Sequence, residues 1–244
     1  MLKLATKLQP NRQTLELAYR AGFRHTELFL DEQNLLKWQQ TLETCREFPF
    51  TYVPHFTNKT ISTEALEGIL HLYHELNCQA MVIHEPMFAK YEQEIKSRMP
   101  RVRLGIENHF KNPAQLQEFA QSATYITLDI EHLWVLTWPK ISQQDLLEKF
   151  KQFWNEFGDK VIHIHFPGPR ADEPFQHRPM YNNRELVFAV FDHLHSCGYK
   201  GLIVAEVDQY YQTYPELHMD VLLFESWRNT DRNIPTPCRS GENK

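Results

Sequence analysis

Five short apolar runs in this chain each stop on a residue that can bind a metal ion or carry a proton: MVIHE, RLGIEN, YITLDIEH, VIHIHF and GLIVAEVD. The closing groups are His84, Glu107, Asp129 with His132, His165, and Glu206. One such ending is commonplace, because strands stop where polar loops begin. Five in succession suggest a ring of strands aiming carboxylates and imidazoles at one point. That mixture suits Mn²⁺, Mg²⁺, Co²⁺ or Zn²⁺. Three carboxylates buried together without a cation are very costly. The expectation is therefore one divalent metal ion held by Glu107, Asp129, His165 and Glu206.

Other residues fall around this set. His132 follows Asp129 in a DxxH spacing, so it reaches back over the site as a ligand, a support for a ligand, or a donor to substrate. His55 and His84 end earlier strands and face the set, for a second metal or for substrate hydroxyls. His163 is expected one layer below His165 as buried support, and Glu27 is a weaker candidate for the rim or the interior. Glu131 has the opposite strand phase to Asp129 and is left out. The loop PGPRADEPFQHRPM carries Arg170, His177 and Arg178, which suit an anion or another polar ligand, and Trp134, Trp138, Phe166 and Phe175 are candidate pocket walls.

The elements that must position these groups alternate almost without interruption. Strands are expected at residues 2–6, 23–30 and 50–57, then in CQAMVIHEP, RVRLGIEN, ATYITLDIEH, KVIHIHFPG and GLIVAEVD. Helices are expected at 11–21 (closed by Gly22), 32–47, 62–76 (capped by Ser62), 88–98, 113–121, 143–157 (closed by Gly158), 184–197 and 215–228. Eight strand–helix pairs predict a single (β/α)8 barrel over residues 1–228, with a polar tail at 229–244. An open doubly wound sheet would ordinarily carry a Gly-rich turn after its first strand, and none is present. Alternate residues share a strand face. Thr127 thus accompanies Asp129, His163 accompanies His165, and Val204 accompanies Glu206. All candidate ligands then point into the barrel at its C-terminal rim, where this fold places its active sites.

The size agrees: 244 residues fit one such barrel, typically about 250 residues long. Hydrophobic content of 42% and aromatic content of 13% supply a large core. A net charge of -5 gives nucleic acid no general attraction, so no nucleic-acid partner is expected. The N-terminal segment has no apolar stretch of signal-peptide length, and no run reaches the roughly 18 apolar residues of a membrane span. Four scattered cysteines without a CxxC pair fit reduced thiols. A cytoplasmic protein without membrane contact is the expectation, with homo-oligomerisation left open.

The order of IEN at Glu107, LDIEH at Asp129–His132, HIH ending at His165, and AEVD at Glu206 resembles the xylose-isomerase-like TIM-barrel superfamily, in its sugar phosphate isomerase/epimerase branch. The resemblance spans residues 1–228. It implies the same four metal ligands, with His132 contacting substrate oxygens. It also implies a divalent-metal-dependent isomerase or epimerase acting on a small sugar or sugar phosphate through a metal-stabilised enediolate. Glu107 and Glu206, flanking the substrate, would move the proton. His55, His84, Arg170 and His177 are then candidates for substrate binding. Epimerisation, aldose/ketose isomerisation and an inosose-type dehydration all remain compatible with these ligands.

The alternative is the zinc-dependent endonuclease IV type, which acts on abasic DNA. His55, His84 and His132 fit its additional histidines. Its DxH pair after strand seven does not recur, because Phe175 stands where the aspartate would precede His177. Asn58 stands where a stacking tyrosine would be expected. The epimerase branch is also matched imperfectly, since Arg170 lies one residue short of that branch's arginine spacing.

Overall fold

The computed structural model describes residues 1–168 and 177–230. Eight parallel strands close into a barrel in chain order, β1 (Lys3–Leu8), β2 (His25–Phe29), β3 (Thr51–His55), β4 (Met81–His84), β5 (Leu104–Glu107), β6 (Ile126–Asp129), β7 (Val161–His165) and β8 (Leu202–Ala205), with β8 pairing back onto β1. The expected single (β/α)8 barrel is what the chain forms. The helices are α1 (Arg12–Ala21), α2 (Glu32–Leu36), α3 (Trp38–Arg46), α4 (Thr63–Glu75), α5 (Glu85–Arg98), α6 (Pro113–Ser122), the single turn α7 (Ile130–His132), α8 (Gln143–Phe157), α9 (Arg184–Ser196) and α10 (Tyr214–Arg228). Residues 231–244, most of the expected tail, lie outside the described residues.

Local chemistry sets these boundaries. Asn11, Ser62, Asn112 and Ser142 each cap a helix by accepting a backbone N–H with the side chain. Gly22 closes α1 in the left-handed region, at φ 115°. The helix expected over residues 32–47 is instead two helices meeting at Lys37, because Asp31 and Asn34 form a capping box on a short first helix. The first strand runs two residues beyond the expected Thr6, which carries Lys7 into the barrel.

Two apolar layers hold the site. Outward-facing strand residues such as Leu28, Met81, Ile83, Leu128, Ile164 and Ile203 are fully buried under the helices. Each is worth roughly 1.5–3 kcal/mol of burial. Inside the barrel, Ala5, Val53, Val82, Leu202 and Val204 form a separate cluster. Gly105 of β5 leaves room for Thr127, whose Oγ1 lies 2.4 Å from where a Cβ would sit. Cys45 and Cys78 are free and buried, whereas Cys197 is disulfide-bonded, which corrects the expectation of reduced thiols throughout. Among the described residues no helix is long and apolar enough to cross a membrane.

Candidate active site

Alternation along the strands brings Lys7, Glu27, His55, Glu107, Asp129 and His165 into one interior. The support of this site is Glu27 of β2, fully buried. Its Oε1 lies 2.7 Å from His55 Nδ1 and 3.4 Å from Lys7 Nζ. Its Oε2 lies 2.6 Å from His163 Nε2 and 2.9 Å from His165 Nε2. Burial pushes the Glu27 carboxyl up, but His165, Lys7 and His55 outweigh it and hold the group well below the usual carboxylate range. An ionised carboxylate only accepts hydrogen bonds, so His165 must carry its proton on Nε2 when neutral, leaving Nδ1 as the free donor atom.

His165 Nδ1 is aimed at the other carboxylates. It lies 2.8 Å from Glu206 Oε2, 3.5 Å from Glu107 Oε2 and 4.0 Å from Asp129 Oδ2. Glu107, Asp129 and His165 form one group able to hold a metal ion, with donor atoms within 4.8 Å of one another. Glu206 joins through His165, while its Oε1 is 2.5 Å from Lys7 Nζ. Three of the four residues expected as ligands thus form one group, and Glu206 lies beside it against His165. Each of the four contributes one buried atom that makes no well-aligned hydrogen bond, namely Glu107 Oε2, Asp129 Oδ2, His165 Nδ1 and Glu206 Oε2, although Glu107 Oε2 is within reach of His84 and His165 Nδ1 of Glu206. Orphaned buried donors and acceptors are rare in folded proteins, and four that converge fit a divalent cation.

The remaining candidates divide. His84 Nε2 is 3.1 Å from Glu107 Oε2 and His55 Nε2 is 4.0 Å from it; these three residues form a second group able to hold a metal. His132 donates its backbone N–H to Asp129 Oδ1 at 2.8 Å, and its Nδ1 lies 3.0 Å from the Asn108 carbonyl. His177 comes to the same mouth, with Nδ1 3.4 Å from Glu131 Oε2. Arg170 and Phe175 lie outside the described residues. His163 lies against Glu27.

Three functional residues were missed or undervalued in the sequence. Lys7 was hidden by a strand that looked short. Its ammonium stays charged, because Glu206, Glu27 and Glu107 outweigh the burial that opposes it. Glu131 was set aside on strand phase, but β6 stops at Asp129 and the helical turn α7 carries Glu131 back inside, 1% exposed and with neither oxygen hydrogen-bonded. Burial, reinforced by Asp129 and Glu206, pushes its carboxyl up to about 9. His109 follows the IEN run, and its ring centroid lies 4.7 Å from that of His132. Burial and the neighbouring His132 push it down to about 4.

Electrostatics around the donors follow the same geometry. Burial raises Asp129. Burial also opposes the charge on Glu107 and Glu206, but His165 and its neighbours hold both below the usual range. His165, despite burial, is raised by Glu206, Glu27 and Glu107. A cavity of about 420 Å³ opens onto Glu107, His132, Glu206 and Lys7.

No family model and no curated protein matches the chain. Solved structures do share its architecture. D-allulose 3-epimerase from Methylomonas sp. aligns with a TM-score of 0.57 at 12% identity, over 91% of this chain and 90% of that one. Phosphoribosylanthranilate isomerase from Thermotoga maritima aligns with a TM-score of 0.52 at 12% identity, over 92% and 99%. A xylose isomerase-like TIM barrel/4-hydroxyphenylpyruvate dioxygenase fusion protein aligns with a TM-score of 0.53 at 14% identity, over 93% of this chain and 43% of that one. At such identities these likenesses establish the barrel fold.

Proposed function

We propose that the chain is a divalent-metal-dependent isomerase or epimerase of a sugar or sugar derivative. The observation that carries this reading is the convergence of orphaned atoms from Glu107, Asp129, His165 and Glu206. These residues would hold the ion, which supplies Lewis-acid stabilisation of the oxygens of an enediolate. The barrel likeness to an isomerase and an epimerase shows a fold that accommodates isomerase-type reactions.

The chain's own groups divide the remaining work. Glu206 and Glu107 are held ionised, the state a base needs. Lys7 fixes Glu206 through Oε1 and leaves Oε2 facing the site. One ionised glutamate removes the proton beside the substrate carbonyl and, protonated by that step, returns it to the neighbouring carbon; delivery to the opposite face requires the other glutamate first to take a proton from water. The Asn108 carbonyl takes the Nδ1–H of His132, so His132 Nε2 accepts from a substrate hydroxyl.

The test is deuterium incorporation from heavy water into ketoses and their phosphates, with Mn²⁺, Mg²⁺, Co²⁺ or Zn²⁺. Asp129→Ala should abolish stoichiometric metal binding, and full occupancy in that variant would sink the ligand assignment. Glu206→Gln should lose exchange even where metal is retained.

One observation favours a second reading. The group of His55, His84 and Glu107 offers a place for another ion, and two-metal sites suit phosphodiester hydrolysis. Two or more zinc ions per chain, together with nicking of abasic-site DNA and no sugar exchange, would establish that alternative.

A further inference from the structure

The mouth of the barrel holds two cavities. Beside the lobe that contains the metal-site carboxylates, a larger one of about 700 Å³ opens along the start of α5 and the length of α6, and Asn58, His84 and His109 line both. The proton-transfer chemistry uses nothing in this second lobe. Its size alone reaches that of pockets for drug-sized ligands, roughly 300–1,000 Å³.

Its walls indicate what fits. Lys111 is almost buried, with its ammonium 2.5 Å from Glu85 Oε2 and 4.7 Å from the Phe119 ring centroid. Glu118 adds another carboxylate to the lining, so acidic groups outnumber its one ammonium, which is already paired. A phosphate monoester brings a charge of about −1.5 to −2, and it would have to displace Glu85 to reach that ammonium. In the catalytic lobe the described lining holds one further lysine, Lys7, which is committed to Glu206 and Glu27. Neutral hydroxyl groups meet no such obstacle. The Glu85–Lys111 pair sets acceptors beside donors, and Asn58 and Ser122 add more polar groups along the same wall. Phe110 lines the lobe and is 71% exposed. Its backbone is left-handed, at φ 47°, a conformation that a bulky residue rarely keeps without a use. An aromatic ring so displayed offers a face to the apolar side of a sugar ring.

We propose that the second lobe receives an uncharged, polyhydroxylated extension of the substrate, so that the ligand is a glycosylated sugar in place of a small sugar phosphate. The reacting end of that ligand rests on the isomerase reading above. Three probes share one ketose: fructose, isomaltulose (fructose with a glucosyl group on O6) and fructose 6-phosphate. Binding to the metal-loaded protein is measured by calorimetry and saturation-transfer NMR, and deuterium exchange beside the carbonyl is followed in parallel. Isomaltulose should bind at least about tenfold tighter than fructose, a difference these methods resolve readily. Fructose 6-phosphate should bind no tighter than fructose. Ser122→Trp, which fills the lobe, and Phe110→Ala, which removes its platform, should each bring isomaltulose to the level of fructose while leaving fructose unchanged.

Equal binding of fructose and isomaltulose, or strongest binding of the phosphate, overturns the proposal. Isomaltulose preference without proton exchange keeps this inference and removes the isomerase reading. Exchange on fructose without that preference does the reverse. Absence of binding by all three probes overturns both.

Discussion

Replacing Glu27 with Gln tests whether the proposed metal site depends on a carboxylate outside its donor set. Glu27 gives two oxygens to four partners: Oε1 to His55 and Lys7, and Oε2 to His163 and His165. A glutamine offers one acceptor and one donor group. If its NH₂ takes the place of Oε2, His165 Nε2 must become an acceptor. The ring proton then moves to Nδ1, the atom aimed at Glu107, Asp129 and Glu206. If the amide sits the other way, His55 suffers the same inversion, and its Nε2, directed at Glu107, carries the proton. Either orientation also replaces charge-assisted hydrogen bonds with neutral ones, at about 1 kcal/mol for each contact weakened.

Changes to such supporting partners typically lower metal affinity by roughly 10–100-fold, or about 1.4–2.7 kcal/mol. Glu27→Gln should fall within that range, with Zn²⁺ affinity read by competition against a chromophoric chelator and folding checked by circular dichroism. A folded variant that keeps its affinity within about threefold would refute the tautomer argument.

Other expectations follow from separate parts of the molecule. Asp220 is fully buried in α10, and burial raises it to about 7. A carboxyl raised in the folded state stabilises the fold below its unfolded pKa, near pH 4, and that contribution is lost as pH rises through about 7, by an amount on the order of 4 kcal/mol. Asp220→Asn should flatten this part of the pH–stability curve in urea unfolding, and an unchanged curve would show that Asp220 is not the group titrating. Lys7→Met leaves Glu27 and Glu206 without their ammonium. Metal-free protein should lose about 3–5 kcal/mol, with added Mn²⁺ recovering part of it, whereas equal loss with and without metal would count against Lys7 facing the metal site. Gly68→Ala would set a Cβ 2.1 Å from the Leu35 carbonyl oxygen. Separating α4 from α2 should cost about 1–3 kcal/mol, and no loss in chemical denaturation would disprove so close a packing.

Strand endings carried most of what the sequence could tell about position. Glu107, Asp129 and His165 each close a strand, and the period of two turns them inward together, so the barrel and the meeting point of the donors were both legible. What was undervalued or missed was poorly marked by strand pattern. Glu27 sits in the middle of HTELF and gains its importance from His55, His163 and His165, which are 28, 136 and 138 residues away. Lys7 lies at the end of a strand whose pairing with β2 and β8 extends it beyond its own weak pattern. Glu131 was misplaced because strand phase was carried past the point where the strand ends. An Asp129 side chain accepting the His132 N–H starts a helical turn there, and the D-x-x-H spacing already held the capping signal that would have revealed it.

The charges inside the barrel explain why support and chemistry are separate layers. Glu27, Glu107, Asp129 and Glu206 bring four carboxylates into one interior, against the ammonium of Lys7. Glu27 spends its charge on that ammonium and on three imidazoles, and it thereby fixes which nitrogen each ring presents. The other three carboxylates share His165 Nδ1 and part of the pull of Lys7. Such an excess of buried negative charge persists only with a cation or with protons. In the metal-free protein protons fill that role: His165 and Asp129 are raised, and Glu131, two residues on, is pushed to about 9. A divalent ion seated among the same donors would substitute for those protons and must displace the one on His165 Nδ1. Metal affinity should therefore weaken as pH falls, because the atoms that would bind the ion are the atoms that hold the protons without it.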